Sequence, residues 1–138
     1  MNKKLYIEFV FLVILGMVTS LSLPPFNYLI INFLTFSLFF LFLIEKSSQH
    51  KDKKLFFFYG WLFGFGYFVI NLHWISISLT FDQNFKFLIP IIIILIPSFL
   101  AIFYGLICYF FIILKPKKIT TSLLVFSLIF GVIEFVRG

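Results

Sequence analysis

Residues 55–81 read LFFFYGWLFGFGYFVINLHWISISLTF. These 27 residues hold no Asp, Glu, Lys or Arg, and about 20 apolar residues suffice for a helix to cross a bilayer. The stretch is asymmetric. Gly60, Gly64 and Gly66 leave one end almost without side chains, whereas Asn71, His73, Trp74, Ser76 and Ser78 crowd polar and amphipathic groups into the other. A helix needed only as an anchor has no use for that asymmetry. The segment is expected to pack closely at one end and to meet something polar at the other.

Composition points to lipid as the solvent. Of 138 residues, 62% are hydrophobic and 12% charged. A water-soluble domain of this length has too high a surface-to-volume ratio to bury so much apolar surface. The 24 Phe residues lie with Ile and Leu in long apolar runs, which argues against a base-stacking surface. A coding bias toward Phe, Ile, Lys and Asn accounts for them. The net charge of +6 does not imply nucleic acid, because the basic residues form short clusters between apolar runs, as membrane topology requires. The single cysteine, Cys108, excludes an intrachain disulfide. MNKK followed by an apolar run resembles a signal peptide, but Glu8 interrupts the run, no small-residue cleavage site follows, and four more apolar segments come after it. An uncleaved first membrane helix is the better reading.

Five apolar segments are legible: 5–23, 28–44, 55–81, 87–114 and 119–136. Each can cross a hydrocarbon core of about 30 Å at about 1.5 Å per residue. The second is barely long enough and the fourth must tilt or kink. Helices are the way such runs satisfy their backbone groups in lipid, and the absence of alternating polar positions argues against a barrel. The expected fold is an all-α membrane domain over residues 1–138, a polytopic bundle of about five transmembrane helices.

Lysines orient it. Lys3 and Lys4 precede the first segment, Lys46, Lys51, Lys53 and Lys54 separate the second from the third, and Lys115, Lys117 and Lys118 separate the fourth from the fifth; only Lys86 and Arg137 fall on the other side. The positive-inside rule places the N-terminus in the cytoplasm and Arg137 outside. Pro24-Pro25-Phe26-Asn27 predicts a tight turn, EKSSQHKDKK (45–54) a polar loop, and Asp82-Gln83-Asn84 an outer turn. Pro97 is expected to kink the fourth helix, with Ser98 available to a freed carbonyl.

Candidate functional residues are few. Gly60-x-x-x-Gly64 fits the small-residue spacing that lets membrane helices approach closely, and Gly66 adds to that face; packing within the bundle is favoured over dimerisation. Asn71 and His73, near the outer end, are expected to face the bundle interior or a wet cavity, either hydrogen-bonding between helices or forming one wall of a lipid or substrate cavity. Trp74 suits the membrane interface or the same wall. Glu134 and Arg137, three apart, share a helical face; they form a structural ion pair, or Arg137 meets a phosphate head group. Glu8 lies four from Lys4 and reads as structural. Cys108 lies in an apolar run with no His, Lys or Glu before it at helical spacing, so it is read as inert. His50 and His73 fall on opposite sides of the membrane. The chain carries no metal-ligand cluster, phosphate loop or Ser/His/Asp set, so neither metal nor cofactor is expected.

Three stretches, Leu21-Ser22-Leu23-Pro24-Pro25-Phe26, GWLFGFGYFVINLHWISISL (60–79) and Glu134-Phe135-Val136-Arg137-Gly138, resemble in order and spacing the N-terminal membrane region of bacterial apolipoprotein N-acyltransferase. The resemblance covers essentially the whole chain. It implies an inner-membrane acyltransferase that takes an acyl chain from a phospholipid, holds it as a thioester on a cysteine, and passes it to the N-terminal diacylglyceryl-cysteine of an apolipoprotein during lipoprotein maturation. This is two-step covalent catalysis. The family's Glu-Lys-Cys triad belongs to an extracytoplasmic carbon–nitrogen hydrolase domain whose motifs match nothing here, and Cys108 does not take the nucleophile's role. The chain is therefore expected to be an N-terminal fragment, inactive alone, that contributes anchoring and a lipid-facing wall. The Phe81–Phe85 turn departs from the family in lacking a glycine that often follows the Trp-containing helix, which touches only the outer loop's shape. Two other classes remain open: a small transporter or channel subunit with Asn71, His73 and Glu134 along its path, and a membrane scaffold assembling through Gly60 and Gly64.

Overall fold

The computed structural model of the chain describes residues 3–23, 28–49, 51–72 and 89–138. Helix α1 spans Lys3–Thr19 and continues into a 3-10 turn, Ser20–Ser22. Helix α2 spans Leu29–Gln49, α3 Lys53–Asn71, α4 Ile89–Leu114 and α5 Ile119–Arg137. No strand occurs among the described residues. The expected turns at 24–27 and 82–84, together with His50, His73, Trp74, Ser76, Ser78 and Lys86, lie outside them.

Four of the five helices are long and apolar enough to span a membrane: α1 with its 3-10 turn, α2, α4 and α5. The exception, α3, sits between α1 and α4. Its Phe56, Tyr59, Gly60, Phe63, Gly64, Gly66 and Phe68 are all buried. A helix wrapped by protein needs less hydropathy than one facing lipid, so Tyr, Trp and Gly are admissible there.

Register shows the direction of each helix. Glycines set the close approaches. A Cβ on Gly16 would stand 2.0 Å from the Phe63 carbonyl oxygen, and one on Gly66 2.2 Å from that of Val13. Along the whole seam Glu8 meets Tyr59 while Gly16 meets Phe63 and Tyr67, rising numbers against rising numbers, so α1 and α3 are parallel. A Cβ on Gly60 would stand 2.2 Å from the Tyr104 carbonyl oxygen, and one on Gly64 2.8 Å from the Tyr104 Cβ. Gly105 receives the Phe57 ring in turn. Trp61 Nε1 donates to the Ser98 carbonyl at 3.0 Å. Rising numbers on α3 meet falling numbers on α4, so those two are antiparallel. The stacked Phe39–Phe63 rings, 4.2 Å apart, and the Phe42–Tyr59 pair set α2 antiparallel to α3. Phe111–Phe126 and Tyr104–Phe130 set α5 antiparallel to α4. Alternating direction is the topology of successive membrane hairpins.

Several local features differ from expectation for identifiable reasons. Helix α2 runs through Gln49 instead of stopping at Ile44, so half of the expected 45–54 loop is helical. The Ser47 and Ser48 hydroxyls bond carbonyls of their own helix, at Ile44 and Glu45. Lys115 donates to the Ser47 hydroxyl from across the bundle. Asp52 then caps α3, accepting from the Lys54 backbone N–H at 3.0 Å. Glu8 does not pair with Lys4: its carboxylate meets Lys46 Nζ at 2.5 Å and the Tyr59 hydroxyl at 2.8 Å, joining three helices. The extra turn of α2 is what carries Lys46 to that position. Pro97 lies fully buried inside α4. Its neighbour Ser98 contributes a carbonyl, held by Trp61, to the α3–α4 seam.

Candidate functional site

The far end of the bundle from Glu8 gathers the other charged pair. Arg137 Nη2 and Glu134 Oε2 lie 2.6 Å apart, each side chain about a quarter exposed (28% and 26%). The Arg137 guanidinium also sits over the Phe68 ring, 5.3 Å from its centroid, a placement in which ring quadrupole and cation attract. Phe68 is held by Tyr67 at 5.0 Å and by Tyr104 at 5.5 Å, both edge-on. Tyr104 is nearly buried and packs edge-on against Phe130. The Tyr67 and Tyr104 hydroxyls lie within electrostatic reach of Glu134 and Arg137. Helices α3, α4 and α5 thus build an aromatic box, one ring of which, Phe68, lies against the arginine.

Asn71 stands one turn beyond Phe68 on the same face of α3. It couples electrostatically to the Tyr67 hydroxyl. Even so, its amide nitrogen is buried with no partner in hydrogen-bond geometry among the described residues. A buried donor left unpaired costs about 1–3 kcal/mol, so such a group calls for a partner. The box is also deep. Tyr104 lies about 22 Å along α4 from Ile89 at 1.5 Å per residue, and the register that pairs Tyr104 with Phe130 sets Arg137 about 10 Å nearer that end.

The expected site residues therefore divide into three sets. Asn71, Glu134 and Arg137 come together around Phe68. Gly60, Gly64 and Gly66 line the two seams of α3 further inward. His73 and Trp74 lie outside the described residues. Tyr67, Phe68 and Tyr104 escaped the sequence reading; the available signal was tyrosine inside otherwise apolar helices, since a buried phenol seeks a polar partner. Cys108 is fully buried, its sulfur against Gly60. Among the described residues no group of three or more His, Cys, Asp or Glu could hold a metal ion. Among the described residues Glu134 is engaged by Arg137, and the Phe39, Phe63, Tyr104 and Phe130 rings pack in succession across the helices.

The model of the apolipoprotein N-acyltransferase N-terminal domain matches residues 15–138. The chain belongs to that family. Curated relatives agree. The chain is 42% identical to an apolipoprotein N-acyltransferase of Rhizobium leguminosarum bv. trifolii (strain WSM2304) over 98 residues, 66% of this chain and 18% of the relative. It is 40% identical to that of Rhizobium etli (strain CIAT 652) over 98 residues, with the same two shares. It is 37% identical to that of Rhodopseudomonas palustris (strain ATCC BAA-98 / CGA009) over 94 residues, 66% of this chain and 17% of the relative. The chain thus spans under a fifth of the length of these apolipoprotein N-acyltransferases. No solved structure matches. The match includes the glycine seams of α3 and the whole aromatic box.

Proposed function

We propose that this chain is the membrane-embedded part of an acyltransferase that moves an acyl chain from a phospholipid to the N-terminal diacylglyceryl-cysteine of apolipoproteins. The observation that carries this reading is the family match over residues 15–138. The enzyme works in the bacterial inner membrane with its N-terminus in the cytoplasm, an orientation supported by nine of the 11 basic residues lying on one side. The transfer itself, through a thioester, belongs to a carbon–nitrogen hydrolase domain outside these helices. The helices anchor that domain and present the phospholipid to it.

Within that reading, Arg137 receives the lipid phosphate. Glu134 and Phe68 fix one edge and one face of the guanidinium, and its remaining N–H groups form a fork suited to a phosphate. The unpartnered Asn71 amide is a second donor on the same side. Asn71, His73 and Trp74 form the wall facing the substrate.

Two measurements test the proposal. The purified 138-residue chain, given phosphatidylethanolamine and a diacylglyceryl-cysteine peptide, should transfer no acyl groups, and the reading frame downstream of the Gly138 codon should encode further helices and a hydrolase domain with Glu, Lys and Cys. Acyl transfer by the chain alone would contradict the division of labour, and a stop codon with no such domain nearby would contradict the assignment. For Arg137, the expected result is that Arg137→Ala lowers the preference for phosphatidylethanolamine over diacylglycerol about tenfold, the scale of one charge-assisted hydrogen bond. Unchanged preference would remove Arg137 from the head-group site.

A further inference from the structure

Helix α4 is packed along only part of its length. Every buried side chain it carries lies between Pro97 and Phe111, and none of residues 89–96 is buried. Pro97 sits at the boundary, fully buried, on the stripe that meets α3 through Ala101 and Tyr104. Proline has no N–H, so the Ile93 carbonyl loses its helical donor, and the proline ring crowds that carbonyl. Both effects fall on the side facing α3. Crowding there tilts residues 89–96 away from α3, in keeping with their lack of burial. Just inside the break the helix is clamped. Trp61 Nε1 donates to the Ser98 carbonyl at 3.0 Å, and Phe65 stacks on the indole at 5.3 Å.

Register brings a donor to the same level. Gly64 lies against Ala101. Seven residues further along α3 stands Asn71, and seven residues back along α4 stands Ile94, next to Ile93. Helical side chains lean toward the N-terminus of their helix, and helical carbonyls point toward its C-terminus. In this antiparallel pair both directions run inward, so the Asn71 amide and the Ile93 carbonyl converge beside Pro97. The Asn71 amide nitrogen is buried, with no hydrogen-bond partner among the described residues. One helix thus carries a donor without an acceptor, and its neighbour an acceptor without its helical donor.

We propose that residues 89–96 form an arm that hinges at Pro97 and latches when Asn71 donates its amide to the Ile93 carbonyl. With the Asn71 amide unpaired, the structure holds the arm unlatched. Position gives the latch a purpose. The Tyr104–Phe130 pair sets Arg137 level with Pro97, seven residues along from each ring. The arm therefore extends about 12 Å past Arg137 at 1.5 Å per residue. Latched, it roofs the Phe68 ring and the guanidinium that lies on it; unlatched, it uncovers them. The latch engages the amide assigned above to a second head-group donor, so closing withdraws that donor. The hinge depends neither on acyl transfer nor on what Arg137 binds.

Double electron–electron resonance on the 138-residue chain in lipid nanodiscs tests the hinge. Spin labels are placed on cysteines introduced at Phe33, exposed on α2, and at Ile94, exposed on the arm, with Cys108→Ala removing the native thiol. This parent chain should show two distances. Asn71→Leu, which keeps the size of the side chain, should lower the shorter-distance population about tenfold, the scale of one buried hydrogen bond. Pro97→Ala restores the missing N–H and should leave one distance. A pair at Leu41 and Phe110, both exposed on the inner half of the bundle, should give one distance throughout. Arg137 is the one arginine in the chain, so phenylglyoxal reports on the roof: Arg137 should react faster in Asn71→Leu than in the parent. Far-UV circular dichroism confirms that each variant is folded, and Asn71→Ala serves where the leucine variant is not. The same distances in the parent and Asn71→Leu, two distances kept in Pro97→Ala, or a second distance in the inner pair would each overturn the hinge, and equal phenylglyoxal rates would overturn the roof. The two readings fail separately: distance populations report on the hinge, whereas preference between phospholipid and diacylglycerol reports on Arg137.

Discussion

Gly60→Leu will separate α3 from α4 and cost about 3 kcal/mol or more, the upper end of overpacking penalties. The reason lies in what the new side chain meets. Its first carbon alone would stand 2.2 Å from the Tyr104 carbonyl oxygen and 2.8 Å from the Cys108 sulfur. A flexible side chain could move aside, but a backbone carbonyl inside a helix moves only with the helix. Because Trp61 holds the same seam through Ser98, and Tyr104 belongs to the aromatic box, opening at Gly60 displaces the support of Arg137 as well. Even Gly60→Ala carries the offending carbon. Gly131→Ala is the matched control, since its added carbon meets nothing within 4 Å and alanine favours a helix over glycine by up to about 1 kcal/mol. Unfolding in mixed micelles, followed by circular dichroism, should show a large loss for both Gly60 variants and none for Gly131→Ala. Equal midpoints for Gly60→Ala and the wild type would refute the seam.

At the other end, Lys46→Met should destabilise the bundle by about 3–5 kcal/mol, the cost of leaving one member of a buried ion pair without its partner. The side chains of Lys46 and Glu8 are 6% and 13% exposed, so little water is at hand to replace the lost partner. Tyr59 still donates to Glu8 at 2.8 Å, which offsets a part of the loss. The double variant Glu8→Leu with Lys46→Met should recover most of it, because apolar replacement of a whole buried pair is often neutral or better. A double variant as unstable as the single one would mean that the pair stabilises the fold beyond avoiding a lone charge.

The architecture was legible from hydropathy because lipid imposes a simple demand: every apolar run of sufficient length becomes a helix. The count of five follows from that demand; the reading of all five as spans does not, because among the described residues only four of the helices are long and apolar enough. The α3 glycines were legible too, since glycine on a membrane helix has few uses besides close approach, though spacing alone could not show that Gly60 and Gly64 face α4 while Gly66 faces α1. Pairings across long sequence separations were not legible. Glu8 and Lys4 have the i,i+4 spacing of a local pair, yet Lys46, 38 residues away, wins because α2 continues one turn past its apolar run. Hydropathy could not report that turn, as its serines satisfy themselves on their own helix. The aromatic box escaped for a related reason: with so many rings in the sequence, nothing marks Phe68 or Tyr104 apart until the helices pack Tyr104 on Phe68 and Phe68 on Arg137.

The most direct test of the central claim is a chimera. Residues 15–138 of this chain would replace the matching segment of the Rhizobium leguminosarum bv. trifolii apolipoprotein N-acyltransferase, and acylation of a diacylglyceryl-cysteine peptide would be measured in reconstituted vesicles. If these helices are the membrane part of such an enzyme, the chimera transfers acyl groups at a rate near that of the unmodified relative. A folded, membrane-inserted chimera with no transfer, beside an active relative, would contradict the account.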